Sequence, residues 1–165
     1  MPELRATVRV QLHADFDFFA AAEQVPYYAA LGISHLYLSP ISCARAGSRH
    51  GYDVIDHARI NPELGGEAGL RALVRSLREH DSLLDIVPNH MAADTANPWW
   101  RDVLARGRGS AYAEHFDIDW HAPDQAGRVL LPVLEHGVEH ALGSGALQLA
   151  IDAATGEPGF AAGGQ

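Results

Sequence analysis

The sequence predicts an α/β fold in which parallel strands are covered by helices. Short apolar runs at 6–12, 33–38 and 83–87 alternate with helical patterns at 18–31 and after Gly65-Gly66. Strand–helix–strand alternation of this kind lays successive strands side by side and parallel. The crossovers between them are right-handed by default.

The first strand, 6–12, reads Ala-Thr-Val-Arg-Val-Gln-Leu, with β-branched residues at alternate positions. Asp15 and Asp17 follow and offer caps for the first helix, whose apolar face is Phe18, Ala22, Val25 and Ala29. Pro26 within it predicts a bend or a break, and Gly32 a stop. Residues 33–38 form the second strand, ended by Ser39-Pro40, and a loop rich in Gly, Arg and His runs on to about residue 62. A connection of that length usually means function or disorder. Leu70, Leu73, Val74 and Leu77 then give a second helix, with Glu67 at its positive end. Residues 83–87 form the third strand and Pro88 ends it.

Beyond residue 88 the rhythm changes. Trp, Asp, His, Asn and Gly dominate 89–127, with a short helix expected at 98–106 behind Pro98. Strands are expected at 129–134 and 146–151, and 156–165 reads as an unanchored end. The expected organisation is therefore 1–88 as three β/α units, 89–158 as an insertion after the third strand, and 159–165 as a flexible end.

Composition narrows the function classes. A chain of 165 residues that is 47% hydrophobic can bury a core. With 21 acidic residues against 12 Lys and Arg and no basic block, it is unsuited to nucleic acid. It has no apolar run long enough to span a bilayer. The first residues do not resemble a secretory signal, so a cytoplasmic location is expected. Cys43 is the sole cysteine, which excludes an internal disulfide. Gly107-Arg108-Gly109 lacks the frame of a phosphate loop. His136 and His140 lack the Glu of a metalloprotease pair, and Ser39 has no evident base.

Three clusters carry chemistry. In His50-Gly51-Tyr52-Asp53, Gly permits a close backbone approach, Tyr offers a flat face to a sugar ring, and Asp accepts hydrogen bonds from hydroxyls or holds an Arg. A structured loop with a packed tyrosine is the alternative. In Asp85-Ile86-Val87-Pro88-Asn89-His90, the last two residues fall at the C-terminal end of a strand, the end that faces the active site in a parallel barrel. His90 can donate to a hydroxyl. Asn89 can bind a hard cation or brace a loop. Trp99, Trp100 and Trp120 suit either sugar stacking or plain packing. Arg9 and Gln11 share one face of the first strand, where Arg9 can form an ion pair.

These strings resemble the α-amylase superfamily: Asp-Ile-Val-Pro-Asn-His-Met at 85–91 is similar to its signature at the third barrel strand, and His50–Asp53 to its sugar-contacting loop. A closer resemblance is to the maltooligosyl trehalose synthase branch. It is carried by residues 6–13, 32–41 and 59–66, by Asn-Pro-Trp-Trp at 97–100 and by Phe-Asp-Ile-Asp-Trp at 116–120. The resemblance implies the first three strands of a (β/α)8 barrel and then an inserted domain. It implies retaining transfer that converts the reducing-end α-1,4 linkage of a maltooligosaccharide, or of a glycogen-derived α-1,4-glucan, to an α,α-1,1 linkage.

The resemblance also implies residue roles. Tyr52 stacks on the glucose at the cleavage subsite and His90 donates to a hydroxyl there. Asp53 partners a family arginine, with His50 beside it. Asp85 is structural, and Asn89 matches a position that binds calcium in many amylases; no other cofactor is implied. The family's nucleophile and acid come from the fourth and fifth strands, so no catalytic residue is expected within these residues. The remainder of a barrel, roughly 250 residues in all, is the implied partner. Another amylase-type hydrolase or transferase, and a non-catalytic glucan-binding or structural remnant, remain open. One departure from the pattern is the link His80-Asp81-Ser82-Leu83-Leu84, about two residues shorter than usual by this resemblance.

Overall fold

The computed structural model describes residues 3–77, 81–151, 153, 156 and 158–162. The chain divides into two compact units, Met1–Phe116 and Asp117–Gln165.

The first unit is built on a parallel sheet. Strands β1 (Thr7–Val10), β2 (His35–Leu38) and β5 (Asp81–Leu84) lie in the order β1-β2-β5. Val8 pairs with Leu36 and Val10 with Leu38, so these four side chains share one face. Helices α1 (Phe18–Ala30) and α2 (Gly66–Leu77) cover that face. Val10, Leu12, Phe18, Ala21, Val25, Leu36, Leu38, Leu64, Leu73 and Leu77 form one buried cluster. Two serines tie β1 to β2. Ser34 Oγ accepts from the amides of Arg5 and Ala6 and donates to the Ala6 carbonyl. Ser39 Oγ accepts from the Leu12 amide at 2.9 Å. The serine set aside as a nucleophile thus serves the backbone.

Asp17, not Asp15, caps α1, accepting from the amides of Phe19 and Ala20. The helix runs through Pro26 without ending. Pro26 lies on the exposed side, where solvent can take the place of the missing N–H, while Phe18, Ala21 and Val25 anchor the buried side. The long loop is more ordered than its composition suggests. Within it β3 (Ser42–Ala44) pairs antiparallel with β4 (Val54–Ile60).

The third parallel strand is earlier than the sequence predicts, at 81–84 and not 83–87. Its ladder is fixed by β2: Leu38 pairs with Leu84, and the Asp85 amide still donates to the Leu38 carbonyl at 3.0 Å. Past that point β2 has turned away at Ser39-Pro40, so 86–87 have no partner strand. The short link expected before this strand lies partly in 78–80, outside the described residues. Helix α3 (Pro98–Arg106) forms where Pro98 predicts it.

In the second unit α4 (Val138–Ser144) precedes a hairpin of β6 (Leu147–Ile151) and β7 (Pro158–Ala162). The strand expected at 129–134 does not form; Pro132 lies in its middle and the segment is irregular. The end that reads as unanchored and flexible instead supplies β7 over 158–162, because the β6 edge offers a full ladder to backbone whatever its side chains. Among the described residues no helix is long and apolar enough to cross a membrane.

Candidate functional site

The sheet face opposite the helices carries polar groups. Arg9 sits between Val8 and Val10 on β1, so its side chain leaves on the other face. There its guanidinium lies 4.7 Å from the ring centre of Tyr37, its register partner on β2. Asp85, one residue past β5, meets the same group: Arg9 Nη1 donates to Asp85 Oδ2 at 3.1 Å. Tyr52, from the loop between β3 and β4, closes a triangle. Its hydroxyl accepts from Arg9 Nη2 at 2.8 Å and donates to Asp85 Oδ2.

This triangle explains its own electrostatics. The Tyr52 hydrogen bond, opposed by desolvation and aided by Arg9, holds the Asp85 carboxyl below the usual carboxylate range. The same bond to Asp85 is the main reason the Tyr52 phenol is pushed up. Desolvation works against the Arg9 charge, but the bonds to Asp85 and Tyr52 outweigh it and raise its pKa. Asp85 is therefore an ionised acceptor, with Oδ2 engaged by two donors.

The turn carrying Tyr52 is specified by several groups. Gly51 is buried with φ 77°, and a Cβ there would lie 2.7 Å from the Pro40 carbonyl oxygen, so only glycine fits. Ser48 Oγ accepts from the Gly51 amide at 3.1 Å and donates to Asp53 Oδ1. His50 Nδ1 accepts from the Tyr52 amide at 3.0 Å, lies 3.7 Å from Asp53 Oδ1, and stacks its ring on that of Tyr52 at 6.0 Å. Gln11, two residues beyond Arg9 along the chain, donates to the carbonyls of Arg49 and His50 at 3.1 and 3.3 Å. Asp15, spare as a cap, pairs with Arg49 at 3.1 Å.

His90 arrives from the loop after β5, where one ring nitrogen, Nε2, lies 3.1 Å from the Tyr52 carbonyl. It is exposed, as is Asn89. The described residues contain no group of three or more His, Cys, Asp or Glu placed to hold a metal ion. Asn89 has no such group around it among the described residues.

The tryptophans divide. Trp100 is buried, with its ring 5.0 Å from that of Phe116, so it offers no free face to a sugar. Trp99 is half-buried and lies parallel on Tyr112 at 5.0 Å, with His115 against its edge. Trp120 is half-buried in the second unit. Asn97, Arg45 and Asp94 are not among the residues that the sequence marks as candidates. Asn97 is fully buried and caps α3, and Arg45 Nε pairs with Asp94 at 2.8 Å. An Asn directly before a Pro at the first helical position was the available signal for that cap.

The chain thus combines a parallel sheet, helices on one face of it and an Arg–Tyr–Asp triangle on the other. The alpha-amylase catalytic-domain family model matches residues 17–137, and the chain belongs to that family. Within it the chain is similar to maltooligosyl trehalose synthases. A putative maltooligosyl trehalose synthase of Mycobacterium tuberculosis (strain ATCC 25618 / H37Rv) is 47% identical over 138 residues, covering 78% of this chain and 18% of that protein. The structure of maltooligosyltrehalose synthase from Arthrobacter ramosus is 45% identical with a TM-score of 0.80, over 90% of this chain and 19% of the other. Another maltooligosyl trehalose synthase crystal structure is 38% identical with a TM-score of 0.88, over 99% of this chain and 22% of the other. The chain thus spans about a fifth of the length of these relatives.

Proposed function

We propose that these residues are the first part of a (β/α)8-barrel transglucosylase that moves the reducing-end glucose of a maltooligosaccharide from an α-1,4 to an α,α-1,1 linkage. Residues 1–88 supply the first three units and 89–158 belong to the insertion after the third strand. The observation that carries this reading is the convergence of Arg9, Tyr52, Asp85 and His90 at the strand ends of a chain 47% identical to a putative maltooligosyl trehalose synthase.

In this reading Tyr52 is a platform for the glucose ring at the cleavage subsite. Arg9 and Asp85 fix its hydroxyl, so the ring is held in place before substrate arrives. His90 donates to a sugar hydroxyl. Asp53 and Asp85 are both committed to neighbouring donors, which suits support and not attack. Retaining transfer needs a carboxylate that attacks the anomeric carbon and an acid that protonates the leaving oxygen. Those two groups come from later strands of the barrel. The released glucose, in place of water, then attacks the glycosyl intermediate through its own anomeric hydroxyl.

Incubating the full-length polypeptide with maltopentaose tests this. The expected result is loss of reducing ends without release of glucose. A gain in reducing ends would show a hydrolase instead, and no turnover would leave a non-catalytic protein. The 165-residue chain alone is expected to give no product above a buffer blank.

A further inference from the structure

We propose that Asn97 is a positioning residue for His90, acting through the backbone of Ala92. This rests on the glucan-transfer reading for the role of His90.

The segment 90–94 is laid against the loop that carries Tyr52 at three successive alternate residues. One ring nitrogen of His90, Nε2, lies 3.1 Å from the Tyr52 carbonyl. The Ala92 amide donates to the Val54 carbonyl at 2.8 Å. Asp94 pairs with Arg45 at 2.8 Å. The parallel sheet does not hold this segment, because β5 has already ended at Leu84.

Asn97 supplies the remaining restraint. Its side chain is fully buried and does two things at once. Oδ1 accepts from the amides of Trp99 and Trp100, which caps α3. Nδ2 donates to the Ala92 carbonyl at 3.1 Å and, more weakly, to Met91 Sδ at 3.9 Å. Ala92 is thereby held on both sides, by Val54 at its N–H and by Asn97 at its C=O. The anchored helix behind Asn97 is packed through Trp100 and Val103. A rigid helix end is thus joined by one amide to the residue two positions after His90. A buried amide with both ends satisfied is costly to replace, because either half left unpaired loses a hydrogen bond it had in water.

The two functions of the amide are separable. Asn97→Asp keeps an acceptor for the helix amides, and its charge suits the helix N-terminus. It removes the donor to Ala92 and sets a carboxylate against a carbonyl. In the full-length polypeptide we expect Asn97→Asp to keep α3 protected from hydrogen exchange. The peptide spanning 88–97 should exchange about tenfold faster. Transfer from maltopentaose should fall about tenfold in kcat/KM, since a misplaced contact group costs rate without unfolding the protein. In a His90→Ala background the same substitution should cost almost nothing further, because its effect passes through His90.

Unchanged exchange in 88–97 together with unchanged transfer would overturn the proposal, as would a loss that adds in full to that of His90→Ala. If Asn97→Asp fails to fold, Asn97→Ser keeps a short capping acceptor and removes the reach to Ala92, and the same readings apply. A wild-type polypeptide without transfer activity would sink the functional reading instead. The exchange measurement would then decide by itself whether Asn97 holds the loop.

Discussion

The two units of the chain are made differently. In Met1–Phe116 the helices bury Phe18 and Leu73 completely against the sheet. In Asp117–Gln165 Ala141 is the one buried residue among those described, while Leu149, Ile151 and Phe160 are each 70–72% exposed. The hairpin register makes this pointed. Leu149 pairs with Phe160 and Ile151 with Pro158, so the apolar residues fall on one face and Gln148, Ala150, Gly159 and Ala161 on the other. A two-stranded hairpin with an uncovered apolar face is marginal in water. The first unit therefore owns its core, and the described residues of the second form surface in place of one.

The largest test of that contrast is a pair of truncations. Phe18→Ala should destabilise the chain by about 3–5 kcal/mol, the usual cost of emptying a packed aromatic site. Phe160→Ala should change stability by about 0.5 kcal/mol or less, as for an exposed substitution. Urea unfolding of both variants measures this. Equal losses would show that the second unit has a hidden core.

Gly51→Ala comes next. Both the positive φ and the contact with Pro40 oppose a Cβ, so a loss of more than about 1 kcal/mol is expected. Loss of the Tyr52 position should accompany it, read as a return of the Tyr52 phenol titration to the ordinary tyrosine range. A stable Gly51→Ala variant with an unaltered titration would show that the loop does not depend on this turn.

The smallest effect concerns charge. Asp85 has a folded pKa below its unfolded value, so its contribution is present above the ordinary carboxylate pKa and fades as pH falls through the lowered one. Tyr52 is raised, so its contribution is present below the ordinary phenol pKa and fades as pH rises through the raised one. The triangle should therefore hold across neutral pH and weaken at both extremes. Replacing Asp85 by Asn should bring the Tyr52 phenol titration down toward the ordinary value. An unmoved titration in Asp85→Asn would place the cause elsewhere.

Edges separate the strands in the same way. β2 is paired on both sides, whereas β1 and β5 each present one side unpaired among the described residues. Amide exchange should be slowest at Leu36 and Leu38 and faster at Leu83 and Leu84, which are also partly exposed. Slow exchange at Leu83 and Leu84 in a proven monomer would break this ranking.

Much of this protein was legible in its sequence. Periodicity located α1, α2 and the first two parallel strands, because burial on one side imposes a repeat of 3.6 or 2 that residue types record. Pro98 marked the start of α3 because a proline suits a first helical turn. Residues 50–53 and 85–90 stand out in the sequence as candidate site residues because their chemistry is unusual for loops. What the sequence could not state is anything that depends on a partner far along the chain. The third strand begins at Asp81 because β2 sets the ladder, and no local pattern in 81–87 encodes where β2 ends. The antiparallel pair within the long loop and the β7 strand exist because an unpaired edge accepts backbone regardless of composition. Arg9 on β1 and Asp85 after β5 are 76 residues apart and become partners through register and Tyr52. Asn97 reads as a helix cap in sequence, and only the folded loop turns the other end of its amide toward Ala92.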